Sequence, residues 1–248
     1  MKKLVFALAL AISVLPAAFV FGQAGGPTIV VATDATWPPM EYVNTDKQIV
    51  GFDIDLMNAA AAAGGFQVKF QNTAWDGIFA GLANGDYDAV ISSVTITDER
   101  KNVMDFSMPY LNAGQVLIVR QDTNGVTTLA DLTGKQVGAQ IGTTGAMEID
   151  KVSGVTLRTY DELGLAIEDL NNGRIDGVVA DSPTAANFVL QNDNYKGRLK
   201  IVGKPFTDEY YGVAVKKGNT RVLDMINRGL EKVLSSGQEQ ALEAKWLR

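Results

Sequence analysis

Residues 91 to 110 read ISSVTITDERKNVMDFSMPY, in which Ser92, Ser93, Thr95 and Thr97 follow an apolar strand and lead to Arg100. A guanidinium presents planar, paired N–H donors that match a carboxylate, and neighbouring hydroxyls add further donors. This is the chemistry of an anion receptor. The usual catalytic helpers are missing, because the chain has no histidine and no cysteine. That removes the commonest general base, thiol chemistry, disulfides and the ligands of a typical zinc site. No cofactor and no metal are expected. The net charge is −6 and no basic stripe appears, which argues against a nucleic-acid partner.

Acids are spread along the chain with different prospects. Asp181, in VVADSP, ends a buried run and can either meet a cation or cap a helix after Pro183. Asp98, with Glu99 in the first turn, reads as a helix cap. Asp53 and Asp55 of GFDIDL read as structural acids.

The elements that must position these groups alternate strand and helix. Residues 28–33, TIVVAT, form a β-branched strand that Pro38 and Pro39 end. Residues 51–66 are an alanine-rich helix stopping at Gly64-Gly65, and 66–70 alternate as a strand. Residues 75–94 give a helix, a turn at Asn84-Gly85 and a buried strand. LANGDYDAV (82–90) and LNNGRIDGV (170–178) share Leu-x-Asn-Gly-x-x-Asp-x-Val. The match reflects either two related α/β units or two helix-to-strand turns alike by chance. Near the C-terminus Val222, Met225, Ile226, Leu230, Val233 and Leu234 recur at helical spacing and belong to a core.

Lys2 and Lys3, an apolar run to Phe21 and the small-residue exit Gly22-Gln23-Ala24 describe a cleavable signal peptide over residues 1–24, with a membrane anchor as the alternative. No cysteine follows to carry a lipid. Export to a periplasm is the expectation.

ITDERKNVMDFSMPY, together with ATDATWPPMEY (32–42), GFDIDL (51–56), GTTG (142–145) and NNGRIDGVVADSP (171–183), resembles the family 3 periplasmic amino-acid-binding proteins of ABC importers. The resemblance implies an α/β fold of the two-lobed periplasmic-binding-protein type (type II), with two crossover hinge strands. One lobe comprises 25–116 and 206–248, and the other 117–205. It implies a binding protein without catalysis, an L-amino acid as ligand, a membrane permease as partner, and a monomer. Arg100 holds the ligand's α-carboxylate with donors at Ser93 and Thr95 and at Thr143 or Thr144 from the other lobe. Asp181 holds the α-ammonium, Trp37 and Trp75 form aromatic walls, and Asp34 faces the distal end of the ligand.

Arg100 and Asp181 balance a zwitterion and leave Asp34 for a cationic side chain. Ser92-Ser93 resembles the basic-amino-acid binders, whereas the glutamine type has an Ala-Gly pair there and carries lysine and histidine at the positions of Gln140 and Ala180. The expected order is arginine, then lysine or ornithine, then glutamine. Relatives of this fold also dehydrate cyclohexadienyl acids; Glu148 is the candidate general acid for that alternative.

Overall fold

A computed structural model of the protein describes residues 26–247, so the signal-peptide segment lies outside the described residues. Two five-stranded sheets organise the chain. The first has the strand order Gln67–Asn72, Thr28–Thr33, Ala89–Val90, Ala214–Lys216, Met104–Phe106. The second runs Thr156–Tyr160, Gln136–Gln140, Gly177–Asp181, Gln115–Arg120, Leu199–Val202. In both, three parallel strands are followed by an antiparallel fourth, and the fifth, antiparallel to the fourth, runs in the direction of the first three. The chain belongs to the two-lobed α/β class, each sheet flanked by helices.

The repeated nonapeptide has a structural basis. Gly85 and Gly173 both adopt left-handed conformations (φ 88° and 72°) that end a helix without Cβ strain. Three residues on, Asp88 and Asp176 occupy equivalent places. The N–H of each donates to a neighbouring-strand carbonyl, Val30 O at 2.9 Å and Gln136 O at 2.8 Å. Each carboxylate accepts the N–H of that same residue, at 2.8 and 3.1 Å. The shared aspartate locks the central strand of each sheet to its parallel neighbour.

The chain passes from the first sheet to the second and back, and its crossing segments pair. Leu111–Asn112 and Tyr210–Tyr211 are antiparallel, with Tyr211 opposite Leu111. The long helix Thr220–Ser235 buries Val222, Met225, Ile226, Leu230 and Val233, while Leu234 is only half-buried. It packs on the helix Phe52–Gly64, and Gly229 permits the approach. A Cβ there would lie 2.1 Å from the Ala60 carbonyl oxygen. Gly65 caps the partner helix in the left-handed conformation. At the C-terminus Asp55 accepts Lys245 Nζ at 2.6 Å and Trp246 Nε1 at 2.8 Å, tying the last helix to that same partner.

One cap differs from expectation. The helix Asp98–Val103 is capped by Thr97, whose hydroxyl accepts the Arg100 N–H at 3.1 Å. Asp98 is the first helical residue and pairs instead with Lys101. Threonine and aspartate both cap well; register decided between them.

Candidate functional site

The parallel strands of both sheets point their carboxyl ends at one cavity, the position where open α/β sheets gather ligands. Asp34 follows the first strand, Ser92 and Ser93 follow the third of that sheet, and Gln140 and Asp181 end strands of the second. The cavity encloses about 320 Å³ of space, its opening to solvent included. Asp34, Trp37, Trp75, Ser92, Ser93, Thr95, Arg100, Gln140, Thr143, Thr144 and Asp181 all line it, joined by Glu41.

Arg100 is 6% exposed, and among the described residues its guanidinium hydrogen-bonds only to carbonyls: Nη1 donates to Thr95 O at 2.8 Å, and Nη2 to Gly142 O at 3.1 Å. Its guanidinium lies over Trp75 and Phe79, 5.5 and 5.1 Å from their ring centres. Trp75 is therefore both cavity wall and platform for the arginine. Burial pulls the guanidinium below its usual pKa, opposed by Asp181 and Glu209. Among the described residues no carboxylate lies within ion-pair distance of Arg100. A buried, positioned and unpaired cation is a receptor for an anion.

Asp181 faces the same cavity and occupies an N-cap position without making a cap bond. Its carboxylate accepts instead from Gln115 Nε2 and from the Tyr211 hydroxyl. Burial pushes its pKa up to about 7 despite both bonds. Its charge is costly until a cation arrives.

Acids also gather at another part of the wall. Asp34 accepts Gln140 Nε2 and the Thr36 hydroxyl, each at 2.9 Å, and burial raises its pKa. Glu41 accepts the Ser92 and Ser93 hydroxyls at 3.1 and 3.3 Å. Ser93 itself holds a left-handed backbone (φ 49°), which delivers its N–H to Asp53 Oδ2 at 2.8 Å. For a residue with a Cβ that conformation carries strain, of the kind that collects at functional sites.

The hydroxyls expected to meet a ligand carboxylate are engaged within the chain. Those of Thr95 and Thr144 donate to Glu209 at 3.0 and 2.6 Å, whereas Thr143 caps the helix Thr144–Asp150. Sequence reasoning missed Glu41, Glu209, Gln115 and Tyr211. Glu41 has one local signal, its place in the strand Glu41–Val43 opposite Trp37, on a small arm that edges the cavity. Glu148, the candidate acid for dehydration chemistry, is outside the cavity lining and pairs with Lys151, the residue that ends its helix.

The chain is 40% identical over 220 residues to a probable histidine-binding protein of Neisseria gonorrhoeae, covering 87% of this chain and 81% of the relative. It is 35% identical over 252 residues to the ABC transporter arginine-binding protein 1 of Escherichia coli K12, covering 99% of both. The solved structure of an ancestral arginine-binding protein bound to arginine superposes with a TM-score of 0.84 at 41% identity, covering 89% of this chain and 98% of that one. The family model for bacterial extracellular solute-binding proteins, family 3, matches residues 29–248, and the chain belongs to that family.

Proposed function

We propose that the protein is the solute-binding component of an ABC amino-acid importer and captures a basic L-amino acid, arginine before lysine or ornithine. The observation that carries this reading is the charge layout of the cavity. Among the described residues one buried guanidinium has no acid within ion-pair distance, one buried carboxylate has no cation there, and further acids line the same cavity. A zwitterion satisfies Arg100 and Asp181, and a cationic side chain satisfies what remains.

Capture proceeds by hinge closure. The ligand carboxylate pairs with Arg100 from the first lobe and the ammonium with Asp181 from the second, so both lobes gain from closing. The lobes are residues 25–116 with 206–248, and 117–205. The closed monomer, exported to the periplasm, docks on a membrane permease and performs no chemistry on its cargo. Glu148, held by Lys151, supports the non-catalytic reading.

The test is calorimetric titration of protein refolded to remove carried-over ligand, against arginine, lysine, histidine, glutamine and glutamate. Arginine is expected to bind more tightly than glutamine by about tenfold or more, the worth of one charge-assisted hydrogen bond. Glutamine binding with no response to arginine would overturn the basic-ligand reading.

A further inference from the structure

Glu41 is fully buried, yet it forms part of the cavity wall. Behind it lies Asp53, also fully buried: Ser93 joins the two carboxyls, its hydroxyl on Glu41 and its N–H on Asp53, and the Asp53 N–H donates to the carbonyl of neighbouring Met40 at 2.9 Å. Two buried carboxyls placed side by side with no cation in ion-pair range among the described residues do not both ionise, so the pair holds a proton. Asp53 Oδ2 already accepts the Ser93 N–H and the Tyr110 hydroxyl, at 2.8 and 2.9 Å, while Oδ1 has no N–H or hydroxyl donor. A backbone N–H and a phenol thus favour the ionised form of Asp53, and Glu41 is the member of the pair that keeps the proton. The Ser92 and Ser93 hydroxyls hold the Glu41 carboxyl from the other side.

The ionisable groups around this pair are mostly acidic. Asp53 faces Glu41 from the helix Phe52–Gly64 and Asp34 from the end of the first strand. Tyr110 approaches Asp53 from the crossing segment. Arg100 and Asp181 share the cavity, and no cation lies within ion-pair distance of Glu41 among the described residues. Burial and the Asp53 charge hold the Glu41 carboxyl well above the usual carboxylate range.

We propose that Glu41 is a proton-exchanging selectivity residue: the cationic side chain of a ligand displaces the proton that Glu41 shares with Asp53, so capturing a basic amino acid releases a proton that capturing a neutral one does not. This rests on the basic-ligand reading and deepens it. The Glu41 O–H bond breaks, its proton passes to solvent, and the carboxylate left behind pairs with the guanidinium or ammonium. No oxidation or group transfer is involved. The bound state holds fewer protons, so affinity for a cation rises with pH until free Glu41 itself ionises.

The experiment is calorimetry at about pH 6 in buffers of different ionisation enthalpy, which counts protons, with arginine and with its uncharged isostere citrulline. Ionisation of Asp181 is common to both ligands and cancels. Arginine should release roughly one proton more than citrulline, and its affinity should rise by up to about tenfold per pH unit. Glu41→Gln should bind arginine more weakly and release roughly one proton fewer than wild type, whereas Asp34→Asn should retain the extra proton. Equal proton counts for arginine and citrulline in the wild type would overturn this inference alone. Absence of arginine binding at every pH would overturn it together with the functional reading.

Discussion

Gln140 Nε2 meets Asp34 Oδ2 at 2.9 Å, joining the end of a second-sheet strand to the loop after a first-sheet strand. It is one of several contacts across the cavity, among them Arg100 to Gly142 O at 3.1 Å, Thr95 to Thr144 at 3.4 Å and Thr144 to Glu209 at 2.6 Å. Closure therefore has a polar seam of its own. Gln140→Ala should shift the ligand-free protein toward an open form, seen as a larger radius of gyration in solution scattering. The loss of one hydrogen bond, about 1 kcal/mol, corresponds to roughly fivefold weaker arginine binding. An unchanged radius would mean that the seam does not hold the lobes.

Arg100→Ala should abolish the anion end of the receptor. Removing one partner of a buried ion pair costs about 3 kcal/mol or more, so affinity for any amino acid should fall at least roughly a hundredfold. Circular dichroism checks that the fold survives.

Asp34→Asn addresses the side-chain end instead. Arginine and lysine affinities should fall about tenfold or more, while glutamine changes little or improves. A uniform loss across ligands would place Asp34 in general architecture.

The raised carboxyls give the ligand-free protein a pH signature. Burial pushes the Asp181 carboxyl up to about 7 and raises that of Asp53, against an ordinary value of 3.8. Between about pH 4 and 7 the folded state holds more protons than the unfolded one, so stability falls as pH rises. Thermal melts of ligand-free protein should decline over that window, and Asp181→Asn should flatten the decline. Saturating arginine should also reduce it, because a bound ammonium favours ionised Asp181.

Asp55→Ala separates stability from function. It removes an ion pair and a Trp246 bond that fasten the last helix outside the cavity lining. A loss of about 1 kcal/mol should lower the melting temperature by roughly 2–4 °C with arginine affinity unchanged.

Much of this was legible in the residues, for identifiable reasons. The helices Phe52–Gly64 and Thr220–Ser235 announce themselves by apolar spacing and caps. The cavity lining was legible because its residues follow strand ends inside recognisable motifs. Glu41 was not: in PPMEYV it reads as an ordinary polar strand residue, and only the fold of the small arm buries it against Asp53. Glu209 was hidden for a related reason. Its partners Thr95 and Thr144 are distant in sequence and come from opposite sides of the cavity. The hydroxyl row was legible as donors, but not that Ser92 and Ser93 serve Glu41. Long-range carboxylate placement leaves no local periodicity.

The most direct measurement is a crystal structure with arginine bound. The expected electron density has the ligand carboxylate bidentate on Arg100, the ammonium on Asp181, and the guanidinium between Asp34 and Glu41. A ligand lying the other way, or a side chain that touches neither acid, would contradict the charge layout as the basis of recognition.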